Sequence, residues 1–181
     1  MRWLTEKHQN GTKPLIRSSA LVSDEMLEKH WPSKKVSVLV VTWNMLKQIP
    51  RSQDELYKYF KTLKTEQGGV PDIVAFGTQE TAAETAELDT LLQAALGPSH
   101  VLFHSAAVGM IYQSVFIKRE LIFFTSIPEE KGHLTRPSKG HPTKPGVKYQ
   151  TKGAIAIGFM LFGTSFLFVN SHLTAHKDKI E

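Results

Sequence analysis

Residues 153–172 read GAIAIGFMLFGTSFLFVNSH, and the first nineteen of them, Gly153 to Ser171, carry no charge. A run of that length just suffices to cross a bilayer as a helix. Its interior argues otherwise. Gly163-Thr164-Ser165 interrupts the middle and lysines stand on both flanks. The run divides into Ala154–Leu161 and Phe166–Asn170, two apolar pieces of strand length. They read as buried strands joined by a tight turn, so no transmembrane span is expected and a sheet forms the core.

Upstream, VSVLVV at 36–41 is a β-branched, apolar run that reads as a buried strand and leads straight into Thr42-Trp43-Asn44. A helix follows, with Leu56, Phe60 and Leu63 on one stripe. DIVAFG at 72–77 is a second strand, ending at Thr78-Gln79-Glu80. Residues 84–96 form the clearest helix, with Leu88, Leu91, Leu92, Ala95 and Leu96 on one face and Gly97-Pro98 as its stop. Further strands are expected at about 100–106, 110–117 and 121–126. Ser23-Asp24-Glu25 opens a short capped helix that ends near Trp31-Pro32. Strand and helix alternate first, and strands then dominate. The fold class is therefore α/β, an α+β layered arrangement on a sheet core. Residues 1–35 read as a partly disordered N-terminal extension, 36–181 as the folded unit, and 128–150 as a long basic Pro/Gly loop.

The chain has 181 residues, 41% hydrophobic and 22% charged, which excludes wholesale disorder. It has no cysteine, which excludes a disulfide scaffold, a Cys-ligated zinc site and a thiol nucleophile. The net charge of +5 is unevenly spread: +3 in residues 1–35, +4 in 128–152 and −2 in the remainder. Basic loops on a slightly acidic body suit a phosphate-bearing partner, whether nucleic acid, inositol phosphate or an anionic membrane face, and equally suit solvated surface.

Three polar residues stand just beyond apolar strands: Asn44, Glu80 and His172. Ligands of open α/β sheets collect at strand ends. An amide, a carboxylate and an imidazole meeting there could hold a hard cation and orient a phosphate, with Glu80 as an oxygen ligand for Mg²⁺. Each residue alone also has a bland reading. A Glu after a strand commonly starts a helix, a His is commonly a structural hydrogen-bonding group, and the Trp43 ring is read as core packing.

The wording of four segments narrows this. Thr42-Trp43-Asn44, Thr78-Gln79-Glu80, Thr151-Lys152-Gly153-Ala154 and Asn170-Ser171-His172-Leu173-Thr174-Ala175-His176 occur in one order. The chain resembles the inositol polyphosphate 5-phosphatase family of the metal-dependent endonuclease/exonuclease/phosphatase superfamily, most of all its E-type branch. The resemblance covers about 21–181, apart from the Pro-rich loop. It implies half of a four-layer α/β/β/α sandwich of the DNase-like superfamily, and hydrolysis of the 5-phosphate of phosphatidylinositol polyphosphates.

By the same resemblance, Glu80 is a Mg²⁺ ligand and Asn44 helps hold the metal and scissile-phosphate cluster. His172 contacts the scissile phosphate, Lys152 reads ring phosphates, and His176 has a supporting role. The implied partner is a phosphoinositide headgroup at a membrane surface, met by a cytoplasmic, peripheral protein at the cilium or Golgi. Arg136, Lys139, Lys144 and Lys148 are candidates for that surface. No counterpart of the family's later WxGDxNxR, PSWCDR-like and terminal DH motifs occurs, so these residues are expected to form the N-terminal half of the catalytic domain and to turn over little alone. Two other roles stay open: a non-catalytic phosphoinositide- or partner-binding fragment, and a metal-dependent nuclease, the latter least favoured by the Lys152-Gly153 and Ser171-His172-Leu173 wording.

Overall fold

The computed structural model describes residues 23–50, 52–62, 69–81, 85–135 and 152–173. Helix α1 (Asp24–His30) begins where the Ser23 side chain accepts the Met26 N–H, has acids in its first turn and Lys29 and His30 in its last, and stops at Trp31. Strand β1 (Val38–Asn44) runs parallel to β2 (Ile73–Gln79), so both point their C-terminal ends the same way. Helix α2 (Gln53–Thr62) connects them, and α3 (Thr85–Leu96) leads to β3 (His100–Val108) and β4 (Ile111–Lys118). Gly97, at φ +79°, ends α3 in the left-handed region that glycine enters without strain. The resulting four-stranded sheet has the order β1-β2-β4-β3.

A second, antiparallel sheet comprises β5 (Glu129–Leu134), β6 (Gly153–Leu161) and β7 (Thr164–His172), with β6 central. The uncharged run of 153–171 is the β6–β7 hairpin. Phe162 and Gly163, both at positive φ, make its two-residue turn between the paired Leu161 and Thr164. No described helix is long and apolar enough to cross a membrane.

Two cores hold three layers together. The helices cover one face of the first sheet through Leu56, Phe60, Leu88 and Leu92 against Val41, Val74, Phe76 and Phe116. The second sheet covers the other face through Ile155, Ile157, Phe159 and Phe168 against Ile73, Ala75, Val115 and Ile117. Strand β2 has neighbours on both edges and both faces, and all seven of its residues are buried.

Three local expectations are corrected. The strand expected at 121–126 is a 3₁₀ helix, Arg119–Phe124, which buries Leu121 and leaves Phe123 79% exposed. Its apolar composition fits a strand, but the segment meets the second sheet through one isolated bridge, Thr125 to Leu161, with hydrogen bonds from Ser126 to Met160 and from Phe162 to Phe124 beside it. The loop expected from 128 begins instead with strand β5, a charged strand that among the described residues pairs with β6 at the edge of its sheet, while 136–151 lie outside the described residues. The run at 36–41 is not a buried strand either: β1 is an edge strand in which Val40 is 66% and Trp43 42% exposed. The Trp43 ring meets Phe76 edge-on rather than filling the core. Leu63, named for the helix stripe, also lies outside the described residues.

His100 yields a pH prediction. It is fully buried; Nε2–H donates to the Pro71 carbonyl at 2.7 Å and Nδ1 lies 3.0 Å from Ser99 Oγ. Burial lowers its pKa below the ordinary histidine value, outweighing the raising effect of Pro71 and Asp72, and Lys118 adds to the lowering. The fold therefore favours the neutral ring. Its contribution is complete above the unfolded-state pKa of about 6.5 and is lost as pH falls below it, at up to about 1.4 kcal/mol per pH unit. Urea unfolding at pH 7.5 and 5.5 should show this loss, and His100→Gln should flatten it. An unchanged slope in the variant would contradict the assignment.

Candidate active site

Parallel pairing brings the last residues of β1 and β2 side by side, with Asn44 opposite Gln79. Glu80 follows at φ +53°, a left-handed conformation strained for a glutamate. The neighbouring turn holds it there. The Met45 and Lys47 N–H groups donate to the Gln79 and Glu80 carbonyls, each at 2.8 Å. Leu46 and Lys47 in that turn also have positive φ. Asn44 Nδ2 donates to Glu80 Oε1 at 3.3 Å, while its Oδ1 accepts the Leu46 N–H at 3.1 Å. Asn44 thus presents its amide nitrogen, not its oxygen, to the carboxylate.

The second sheet supplies the other two groups. His172 ends β7 opposite Gly153, the first residue of β6, so Lys152 lies beside it. Gly153 is required at this point, because a Cβ there would collide with the His133 carbonyl oxygen of β5. The Lys152 carbonyl accepts hydrogen bonds from the Thr135 N–H and hydroxyl. Lys152 Nζ donates to His172 Nε2 at 2.5 Å, and His172 Nε2 lies 3.8 Å from Glu80 Oε1. The His172 side chain is 15% exposed and that of Glu80 32%.

Four sequence-predicted residues from separate segments therefore meet at one end of both sheets: Asn44, Glu80, His172 and Lys152. His176 and the basic residues Arg136, Lys139, Lys144 and Lys148 lie outside the described residues. Among the described residues no three His, Asp or Glu side chains gather to hold a metal ion. The donor set nonetheless fits a hard cation. One partly open carboxylate, steadied by an amide, suits Mg²⁺, which takes few protein ligands and completes its shell with water and phosphate oxygens.

Sequence reasoning did not single out Asn170 as a site residue. It is buried, and it joins β7 to the Gln79 side chain and the Thr78 carbonyl just before Glu80. Its signal was strand parity: it shares the inward face with Phe166, Phe168 and His172, where a polar side chain needs a partner.

Residues 41–181 match the family model described as Endonuclease/Exonuclease/phosphatase family 2. The chain is 39% identical over 168 residues to the phosphatidylinositol polyphosphate 5-phosphatase type IV of Mus musculus, covering 92% of this chain and 24% of that protein. It thus spans about a quarter of the length of that relative. Among solved structures, the inositol polyphosphate 5-phosphatase domain of SPsynaptojanin, in complex with inositol (1,4)-bisphosphate and calcium ion, superposes with a TM-score of 0.62 at 20% identity, over 93% of this chain and 49% of that one. A Cimex nitrophorin, a ferrous NO complex, superposes with a TM-score of 0.57 at 17% identity, over 77% of this chain and 47% of that one. Likeness at these identities shows the fold, and the fold alone does not choose a chemistry. With the family model matched by residues 41–181 and a 5-phosphatase as a 39% identical relative, the chain belongs to the endonuclease/exonuclease/phosphatase superfamily and, within it, to the inositol polyphosphate 5-phosphatase family, of whose domain it carries a part.

Proposed function

We propose that these residues form the cation- and phosphate-holding part of a Mg²⁺-dependent phosphoinositide 5-phosphatase working at the cytoplasmic face of a membrane. The reading is carried by one observation: Glu80, His172 and Lys152, from three separate segments, stand in a continuous line of contacts at one end of both sheets. Glu80 would hold Mg²⁺, with Asn44 fixing the carboxylate's orientation. When bound, Mg²⁺ polarises the scissile phosphate and screens its charge. His172 is placed to hydrogen-bond an oxygen of that phosphate. The Lys152 ammonium, which donates to the His172 imidazole, would find a stronger acceptor in a phosphate oxygen. Gly153 lets β6 approach β5 closely and so fixes the position of that lysine.

Glu80 and His172 have no third acid or imidazole beside them among the described residues. By the family resemblance, the water-activating aspartate belongs to the later motifs that have no counterpart in this sequence, so turnover by this chain alone is expected to be low. The outer face of the second sheet, where Leu167 and Val169 are 49% and 59% exposed, is the face that the fourth layer of an α/β/β/α sandwich would cover.

Vesicle binding tests the reading. The chain should bind vesicles containing a 5-phosphorylated phosphoinositide in preference to phosphatidylserine vesicles of equal charge, and Mg²⁺ should strengthen that binding. Lys152→Ala should weaken it about tenfold, the loss of one charge-assisted contact. Equal binding to both vesicles, unaffected by Lys152→Ala, would refute the proposal. The positive charge of the sequence, +4 in residues 128–152, keeps a second reading open, a binding-only module. Its mark is headgroup binding that ignores Mg²⁺.

A further inference from the structure

We infer that Asn170 is the positioning residue of this site, a hydrogen-bonded joint between the sheets that sets the separation of Glu80 and His172. The inference rests on the function proposed above. The buried contact between the sheets is mainly apolar, built from Ile73, Ala75, Val115, Ile155, Ile157 and Phe168, and the His104–Glu130 pair, at 2.6 Å, joins the edge strands β3 and β5 where both side chains reach solvent. Apolar contact is strong but non-directional, and does not by itself fix one sheet against the other to a fraction of an ångström. Chemistry between groups on different sheets needs that precision.

Asn170, 6% exposed, supplies the direction. Its Nδ2 donates to the Thr78 carbonyl at 2.9 Å and to the Tyr112 carbonyl at 2.8 Å, reaching β2 and β4 together. Its Oδ1 accepts from Gln79 Nε2 at 2.7 Å, and the same nitrogen lies 3.0 Å from Thr42 Oγ1 on β1. The amide can face only one way. Reversed, its oxygen would meet two carbonyls and its nitrogen would meet an amide donor. Gly77 makes room, since a Cβ there would lie 2.8 Å from Asn170 Cγ. Asn170 stands two residues before His172 on β7, and its partner Gln79 immediately precedes Glu80. The joint therefore sits at the base of both functional groups and transmits to each through one or two residues of rigid backbone. An apolar residue in its place would fill the space but leave the Gln79 amide and two carbonyls without this partner.

Paramagnetic Mn²⁺, used in place of Mg²⁺ with the 181-residue chain, tests this by NMR. Mn²⁺ should broaden the His172 ring resonances, and Glu80→Gln should abolish the broadening. If wild type shows no Glu80-dependent broadening, the cation reading fails and this inference falls with it. Given that broadening, Asn170→Ser should keep cooperative unfolding and Mn²⁺ affinity yet reduce the broadening of His172 severalfold, because the effect falls with the inverse sixth power of distance. Undiminished broadening would overturn the inference while leaving the cation reading intact. The double variant Gly77→Ala/Asn170→Ser returns a methyl group to the space of the lost amide, 3.1 Å from the Cβ that serine keeps, without the amide's hydrogen bonds. Broadening that stays reduced in the folded double variant supports positioning. Broadening restored by the methyl alone shows a packing role and overturns it, as does loss of folding in both variants.

Discussion

Glu80→Gln should weaken Mg²⁺ binding at least about 100-fold while leaving the fold intact. Outer-shell partners of metal ligands typically cost 10–100-fold in affinity, and a carboxylate that itself binds the metal should cost no less. The substitution is nearly isosteric. A glutamine Oε1 can still accept the Asn44 Nδ2 hydrogen bond now made at 3.3 Å, and the turn that receives the Glu80 backbone is unchanged. What disappears is the charge. Calorimetric titration of Mg²⁺ into both proteins measures the difference, and undiminished affinity in the variant would remove Glu80 from the cation site.

The backbone at Glu80 sharpens the test. At φ +53° a glutamate bears a strain that glycine would not. Glu80→Gly should therefore lose the cation and gain stability, by about 1 kcal/mol after allowing for glycine's larger unfolded-state entropy. A residue that lowers stability where a glycine would raise it is retained for what its side chain does. If Glu80→Gly is less stable than wild type, the strain argument fails even where the cation argument stands.

The strand ends that carry Asn44, Glu80 and His172 were legible because each follows a local apolar run, and local patterns survive in any fold. The β6–β7 hairpin was legible for the same reason: Gly163 breaks an uncharged run at the length of two strands. Exposure was not. VSVLVV looks like a buried strand, yet Val38 and Val40 lie on an edge, and which strand becomes an edge depends on pairings set far away in sequence. The 3₁₀ helix Arg119–Phe124 was hidden by a strand-like composition, and β5 by a loop-like one, since EEKGHL is a polar strand that among the described residues lies at the edge of its sheet beside β6. The left-handed Glu80 and the partners of Asn170 depend on the same distant packing. The sequence marked an inward polar residue on β7 without showing that it faces Gly77.

Asp72→Ala should destabilise the protein by about 2–4 kcal/mol, the range for removing a buried charge with several charge-assisted hydrogen bonds. Asp72 lies at the end of the sheet opposite the site, where β2 begins. Its Oδ2 accepts both the Ser37 N–H and the Ser37 hydroxyl at 2.7 Å, and its Oδ1 lies 2.6 Å from Lys118 Nζ at the end of β4. One carboxylate thus ties the starts of β1 and β2 to the end of β4. Burial would raise its pKa, but the hydrogen bonds from Lys118 and Ser37 prevail and hold it below the usual carboxylate range. The contribution is therefore present above the unfolded pKa near 3.9 and is lost as pH falls through the lower folded value. Lys118 is partly exposed and lies 5.7 Å from the Trp31 ring, so it keeps water and an aromatic face when Asp72 is gone. Most of the loss then comes from the two orphaned Ser37 donors and the vacated space. Asp72→Asn, which keeps the shape and one acceptor, should accordingly cost about half as much. Urea unfolding at pH 7 and pH 3 decides the matter: the gap between wild type and Asp72→Ala should narrow at the lower pH. A gap of the same size at both would mean that packing, and not the charge, is what Asp72 supplies. Because this network and the site occupy opposite ends of β2, Mg²⁺ affinity should be unchanged in every Asp72 variant that folds, which separates loss of stability from loss of function.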